Sequence, residues 1–441
     1  MNSEDKKIGI VGLGYVGLTL ATVLAEVGFD VVGVEKNLNL VELTNVGIPH
    51  FSELGLDDAL KQVIDSGKFK AKKSFDSSDL CDVYIITVGT PLDQSGQARL
   101  DMIEQATGEV ANHMPDGALI ILRSTVKIGT SREVVKPILK STGKSFGLAM
   151  CPERTLEGRA LKELRELPQI VGSDETDART RASALFGKLT NSVIQVSTYE
   201  TAEMIKLIDN TSRDVRFAFA NEVARACDAL GINAHEVISS GKLGYSRTDV
   251  ALPGLVGGPC LEKDPHILQQ SLAVHSVELE ITKASRLVNE RQPEETISFI
   301  INEMSRREFN QNCKVAILGM AFKGVPSTDD LRGSMSVKVL EHLKREAPFA
   351  KICLYDPVIP KEILQKKFPN LHISINLEDA INGAQVAIIA NNHPNLSSCG
   401  LSKYKNEMSV DGFIYDYWNN FSNLSHEELG VIYYAVGNLR R

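Results

Sequence analysis

The chain has 441 residues, 43% of them hydrophobic and 24% charged, which is too long for one ordinary core and suits roughly two to four soluble globular domains. Its 48 Lys and Arg against 56 Asp and Glu leave a net charge of -8, so no polyanion-binding surface spans the chain and nucleic acid is not an expected partner. The segment Met1 to Lys7 is polar and leads into a strand, no apolar run approaches membrane-spanning length, and the seven cysteines form no CxxC pair; the expectation is a cytoplasmic chain with reduced thiols and no membrane insertion.

Lys7 to Val11 is a short apolar run, followed at once by Gly12-Leu13-Gly14-Tyr15-Val16-Gly17 and by Leu18 to Val27, whose spacing suits a helix closed by Gly28. Val31 to Glu35 comes next, placing an acid eighteen residues beyond Gly17. Strand, glycine turn, helix, strand and acid in this order form a dinucleotide-binding fingerprint. Gly12 permits the tight turn, Gly14 lets backbone approach a pyrophosphate at the helix N-terminus, and Gly17 allows close helix–strand packing. Glu35 can accept hydrogen bonds from ribose hydroxyls and would repel a 2′-phosphate, which favours NAD over NADP; Lys36 beside it weakens that preference.

Val83 to Val88 is a buried-type strand ending in Gly89-Thr90-Pro91, and Ala118 to Leu122 is another, ending in Arg123-Ser124-Thr125. Ligands of a doubly wound sheet sit at the C-terminal strand ends, so Thr90 and Thr125 are positioned to touch one, or else serve as caps and turn hydroxyls. A further run, Phe146 to Met150, leads into Cys151-Pro152-Glu153-Arg154-Thr155-Leu156-Glu157-Gly158. Glu153 and Glu157 can include a general base; from spacing alone they are better read as surface charges. From Ser197 the pattern changes to a long helix ending before Gly231. Lys206 and Asn210, four apart, share one face and can stabilise an oxyanion, or else be a snorkelling lysine beside a solvated asparagine.

Gly257-Gly258-Pro259-Cys260-Leu261-Glu262-Lys263-Asp264 presents a thiol and a carboxylate in a turn whose paired glycines allow backbone to pass close to a ligand. Cys260 is either a nucleophile with Asp264 as water-orienting group or base, or a buried inert thiol. The nine histidines show no HExxH or clustered Cys/His pattern, so no metal is expected. Further helical stretches include Glu278 to Arg291, and Arg306 to Asn312 is a polar linker. A second α/β unit begins at Cys313 to Leu318, followed by Gly319-Met320-Ala321-Phe322-Lys323-Gly324, an incomplete glycine signature that can hold a phosphate through backbone donors and Lys323, with Arg332 as a second cation. Strands are expected at Ile352 to Tyr355, Val386 to Ile389 and Phe413 to Tyr415. The fold class is therefore α/β: two Rossmann-like doubly wound domains joined by a central helical domain with a long helix.

In their order and separation these motifs, together with Ser124-Thr125-Val126, Ala202 to Lys206 and Ala321 to Gly324, resemble the UDP-glucose/GDP-mannose dehydrogenase family over nearly the whole chain. The resemblance implies an NAD-binding domain over residues 1–196, a helical dimerisation domain over 197–300 and a UDP-sugar-binding domain over 310–441, in a homodimer. It implies oxidation of a nucleotide-sugar C6 alcohol to a uronate with two NAD reduced, through a thiohemiacetal and a thioester on Cys260. In the family, residues matching Lys206 and Asn210 stabilise the oxyanion, and those matching Asp264, Glu153 and Thr125 manage water and protons. Cofactor contacts are implied for Gly12, Gly14, Tyr15, Val16, Gly17, Glu35, Lys36, Thr90, Thr125, Glu157 and Arg332. Substrate contacts are implied for Glu153, Arg154, Lys206, Asn210, Arg247, Gly257, Phe322 and Lys323.

The stretch Cys151 to Gly158 with Pro168 to Gly172 resembles the branch that oxidises UDP-N-acetylhexosamines, UDP-N-acetylmannosamine above all. Gly257 to Cys260 departs from that branch, which often has His where Pro259 stands, and Leu261 to Asp264 is nearer the glucose enzymes, so UDP-glucose is the alternative substrate. Two other classes are a two-electron hydroxy-acid dehydrogenase, which needs no thiol, and a non-catalytic dinucleotide-binding protein.

Overall fold

The computed structural model describes residues 5–93, 95–309, 312–421 and 432–439. The first four residues of the polar lead and residues 310–311 of the expected linker lie outside them. The chain divides into two units, residues 1–209 with 266–278 and residues 210–265 with 279–441.

The first unit is built on eight strands: β1 (Lys7–Val11), β2 (Asp30–Val34), β3 (Phe69–Lys72), β4 (Val83–Ile86), β5 (Ala118–Leu122), β6 (Phe146–Met150), β7 (Gln169–Gly172) and β8 (Val193–Val196), in the order β3-β2-β1-β4-β5-β6-β7-β8. Neighbours are parallel except β6 with β7. Alternation along each strand divides the core: Ile8, Ile10, Val83 and Ile85 join one cluster, Val11, Tyr84 and Ile86 the other. Both faces are covered, which is why these runs are apolar without a break. The order reverses between β1 and β4, so the crevice beyond Val11 and Ile86 is the switch point at which such sheets bind ligands. The reversed edge, β7 and β8, has no clear signal in the sequence, because Gln169 and Gly172 bound the first run and Gln195 interrupts the second, which is only partly buried, so neither reads as the unbroken apolar stretch seen at β4 or β12.

The second unit holds a six-stranded parallel sheet: β9 (Lys314–Leu318), β10 (Lys351–Tyr355), β11 (His372–Ile373), β12 (Val386–Ile389), β13 (Phe413–Asp416) and β14 (Ile432–Ala435), in the order β11-β10-β9-β12-β13-β14. Its core divides the same way, with Val315, Ile317, Val386 and Ile388 on one face and Ala316, Leu318, Ala387 and Ile389 on the other. Ile297, Ile300 and Met304 of the helix Gln292–Arg306 join the first of these, and that helix packs against Met335–Glu346. The expected helix ending near Arg291 spans Glu280–Glu290, and the next begins at Gln292 with Pro293 in its first turn, where the missing N–H costs nothing.

The two sheets repeat one local device. Gly12 N–H donates to Val34 O and Gly319 N–H to Tyr355 O, each at 2.8 Å, with φ of +94° and +90° respectively. The acid that follows each second strand then takes the turn's amides: Glu35 Oε2 accepts from Leu13 N at 3.1 Å, and Asp356 Oδ2 from Met320 N at 2.7 Å and Ala321 N at 2.9 Å. The two devices differ in the helix that comes after the turn, which starts at once with Tyr15 in the first sheet and only at Met335 in the second. The long helix runs Tyr199–Leu230, 32 residues and about 48 Å at 1.5 Å per residue. No helix among the described residues is long and apolar enough to cross a membrane.

Candidate active site

In the first unit the helix Tyr15–Glu26 begins on Gly14 with no side-chain cap, leaving its first-turn amides open toward an anion. A Cβ on Gly14 would meet nothing within 4 Å, whereas one on Gly17 would lie 1.8 Å from Gly12 O. Gly14 thus keeps an approach clear and Gly17 keeps helix on strand, as the fingerprint predicts. Tyr15 donates its hydroxyl to Glu53, whose buried carboxylate also accepts from Gly158 N at 2.7 Å and Ala160 N at 2.9 Å. Burial and Glu53 raise the Tyr15 pKa, so the hydroxyl stays a donor. Glu53 therefore ties the glycine turn to the loop carrying Glu157, a link between residues too far apart in sequence to be read locally. Lys36 Nζ is engaged by Gln105 Oε1 at 2.6 Å.

Thr90 is buried and its hydroxyl donates to Thr125 O, so it works as a turn hydroxyl joining the ends of β4 and β5. The loop after Thr125 is held by Glu203 of the long helix, which accepts from Gly129 N at 2.6 Å, Ser131 N at 2.9 Å and Ser131 Oγ at 2.7 Å. Glu153 corrects the expectation of a surface charge: it is 8% exposed. Its Oε2 accepts from Arg123 Nε at 2.9 Å and from Arg123 Nη2, and its Oε1 from Arg154 N at 2.7 Å and Thr155 N at 2.8 Å. Arg154 turns its guanidinium to Pro168 O at 2.7 Å and Asp209 Oδ2 at 3.2 Å. Lys206, 7% exposed, is no snorkelling lysine, and its charge acts on Glu153.

In the second unit Cys260 sits in a single helical turn, Gly258–Leu261. Cys81, Cys151, Cys227, Cys313 and Cys353 are buried, and burial lifts the first two to about 12 and Cys313 and Cys353 to about 11; Cys260 and Cys399 are exposed. The inert-core reading of Cys260 is thereby removed. Asn210 is also buried: its Nδ2 donates to Asp264 Oδ2 at 2.6 Å, while Lys263 Nζ reaches Asp264 Oδ1 at 3.0 Å. Asp264 itself is 0% exposed.

The paired glycines answer to protein packing as well as to any ligand. A Cβ on Gly257 would come within 2.4 Å of Gly333 O, and one on Gly258, at φ +91°, within 2.4 Å of the Phe322 ring. From the other side, buried Arg286 donates Nη1 to Leu261 O at 3.0 Å and to Asp214 Oδ1 at 2.5 Å. Lys323 Nζ lies 5.2 Å from the Phe322 ring centroid. The expectation that this turn offers backbone donors to a phosphate is not met at Met320 and Ala321, whose amides Asp356 has taken. Arg332 belongs to this unit, with Nη2 on Asp330 Oδ2 at 2.7 Å, and the exposed Arg247 stacks 4.9 Å over Tyr245.

Known proteins match this arrangement along its length. Models of the UDP-glucose/GDP-mannose dehydrogenase family match in order: its NAD binding domain over residues 6–190, its central domain over 200–291 and its UDP binding domain over 316–423. The chain belongs to the UDP-glucose/GDP-mannose dehydrogenase family. A UDP-N-acetyl-D-mannosamine dehydrogenase of Pyrococcus horikoshii is 32% identical over 398 residues, 89% of this chain and 90% of that protein. The solved structure of a UDP-D-ManNAc dehydrogenase from the same organism superposes with a TM-score of 0.87 at 30% identity, over 98% of this chain and 99% of the other. A UDP-glucose dehydrogenase from Pyrobaculum islandicum superposes at 0.86 with 25% identity, over 99% and 98%.

As a member of the UDP-glucose/GDP-mannose dehydrogenase family the chain is an NAD-dependent oxidoreductase with two parallel-sheet domains and a helical domain between them in sequence. The residues fit the cofactor: an open cradle at Gly14, uncapped helix amides beyond it, and Glu35 at the end of β2 with Lys36 turned to Gln105. Reading the sequence missed Arg123, Glu53, Glu203, Arg286 and Asp214. Arg123 alone carried a signal, a cation closing an apolar strand, where only a buried partner makes charge tolerable.

Proposed function

We propose that this dehydrogenase oxidises the C6 alcohol of a UDP-N-acetylhexosamine, UDP-N-acetylmannosamine first, to the uronate, with Cys260 as covalent nucleophile. The observation that carries the reading is the second-unit cluster: an exposed thiol on a clamped turn, four residues before a buried Asp264 whose carboxylate is oriented by Asn210. The names borne by relatives at about 30% identity support the sugar.

The cofactor supplies the acceptor for a hydride, once for alcohol to aldehyde and once for the adduct to thioester. Cys260 Sγ adds to the aldehyde carbon and the carbonyl oxygen becomes an oxyanion. Lys206 Nζ and the second N–H of Asn210, the one not given to Asp264, stabilise that charge. Loss of the second hydride from the same carbon gives the thioester. Water oriented by Asp264 and Thr125 then adds, the C–S bond breaks, and carboxylate and thiol are released. Glu153, a buried carboxylate on which the Lys206 charge acts, shares with Asp264 and Thr125 the management of that water and its protons, and Arg247, Phe322 and Lys323 are the proposed contacts to the UDP-sugar. The division at residues 1–196, 197–300 and 310–441 and a cytoplasmic setting belong to the same reading.

A homodimer is part of the proposal. Phe219 and Leu230 are exposed on the long helix, 54% and 71%, and Ile281 and Leu287 on the helix Glu280–Glu290, 71% and 57%. Such apolar side chains suit a second copy of the chain. A panel of UDP-sugars with NADH counted per sugar tests the function: two NADH per UDP-N-acetylmannosamine are expected, and turnover confined to UDP-glucose, or one NADH per sugar, would defeat it.

A further inference from the structure

The turn that carries Cys260 ends on a carbonyl denied its helical partner. In an uninterrupted helix the oxygen of Leu261 would accept the N–H of residue 265, but that residue is Pro265, which has none. Arg286, from the helix Glu280–Glu290, supplies a donor instead: its Nη1 lies 3.0 Å from Leu261 O and 2.5 Å from Asp214 Oδ1 on the long helix. The two side chains are sealed from water, 2% and 0% exposed. Asn289, one turn after Arg286, donates to Asp214 O at 3.1 Å and Oδ1 at 2.9 Å and accepts from Asn221 Nδ2 at 3.0 Å. Asn221 in turn holds Gly254, taking its N–H at 2.9 Å and donating to its carbonyl at 3.1 Å. One buried run of polar groups thus grips the segment from Gly254 to Leu261 at both ends and fastens it to the long helix, one turn beyond Asn210.

We propose that Arg286 is a positioning residue for the nucleophile: by holding the Leu261 carbonyl against Asp214 it sets where the Cys260 thiol stands relative to the Asn210–Asp264 pair. Stability alone does not account for this arginine and its acid. Arg286 Nη2 and Asp214 Oδ2 are buried without a hydrogen-bond partner among the described residues, and two desolvated charges so incompletely matched gain little over apolar side chains of the same volume. What apolar residues could not supply is a donor for Leu261 O. Glu290 Oε1 takes Arg286 Nε at 3.3 Å, so the fork is held on a second edge. The proposal rests on the reading of Cys260 as nucleophile given above.

The test pairs kinetics with the reactivity of the thiol itself, in a Cys399→Ser background where Cys260 is the one exposed thiol left. Arg286→Met/Asp214→Leu removes both charges and leaves neither buried alone. In this folded double variant iodoacetamide should alkylate Cys260 about threefold faster or more, because the turn opens; kcat with the UDP-sugar turned over fastest in the panel should fall roughly tenfold or more, and KM for NAD should move by less than about twofold. Arg286→Lys keeps a charge for Asp214 and a donor for Leu261 O, and should recover part of the loss in kcat. A folded double variant that is alkylated at the parent's rate overturns the proposal. If alkylation quickens and kcat does not fall, the turn is held as proposed and the reading of Cys260 as nucleophile fails instead. Should the double variant not fold, amide hydrogen exchange of the unaltered chain decides: Glu262 N–H and Lys263 N–H, which close the turn on Gly258 O and Cys260 O, should be protected about a hundredfold or more, and exchange at the free-chain rate refutes the inference.

Discussion

Asn210 and Asp264, fifty-four residues apart in sequence, share a buried hydrogen bond of 2.6 Å from amide nitrogen to carboxylate oxygen. Removing the donor leaves a buried carboxylate oxygen without it. Asn210→Ala should cost about 1–3 kcal/mol of stability, read by thermal melt, and lower kcat by about 10²–10³ if the same amide supports the oxyanion. Asn210→Asp places two carboxylates in contact, and its melting temperature should recover as the pH is lowered and one proton is shared.

Only Cys260 and Cys399 are exposed among the seven thiols. Brief iodoacetamide treatment should label these two, and loss of NADH formation should follow Cys260 alone, with Cys399→Ser unaffected in rate. Cys260→Ser should stall at or before the acyl stage, and mass spectrometry under single-turnover conditions should find an ester-linked adduct. No adduct on either wild type or this variant would count against covalent catalysis.

Gly14 and Gly257 separate ligand approach from protein packing. Gly14→Ala meets open space, so stability should move by less than about 1 kcal/mol while KM for NAD rises roughly tenfold. Gly257→Ala drives a methyl against the Gly333 carbonyl and should cost about 1–3 kcal/mol, with kcat falling because the Cys260 turn shifts. Equal effects of the two substitutions on NAD KM would contradict this division.

Asp416 closes β13 under four donors: Trp418 N at 2.9 Å, Asn420 N at 2.6 Å, Asn420 Nδ2 at 2.9 Å and Tyr433 Oη at 2.8 Å. Burial outweighs them and pushes its pKa up to about 6 from the usual 3.8. The folded state therefore holds a proton the unfolded chain has lost, and this contribution to stability is fully present below the unfolded value and gone above about 6. Relative to Asp416→Asn, the wild type should gain about 1–2 kcal/mol between pH 7.5 and pH 5, measured by denaturant midpoints. A difference independent of pH would show that Asp416 is ionised throughout.

Reading along the chain was sufficient for whatever repeats with the period of an element. The runs at β1, β4, β5, β6 and β9, the helix after Gly14 and the long helix before Gly231 follow from local spacing, because a strand buried on both faces and a helix with one apolar stripe leave different periods. Gly12, Gly14 and Gly17 were legible for the same reason: the backbone geometry they permit is local. What only tertiary structure decided is which polar groups lose water and to whom they are given. Glu153 looked like a surface charge until Arg123, thirty residues earlier, was found on it, and Arg286 lies seventy-two residues from the Asp214 it holds. Desolvation and pairing depend on neighbours in space, to which spacing along the chain is blind.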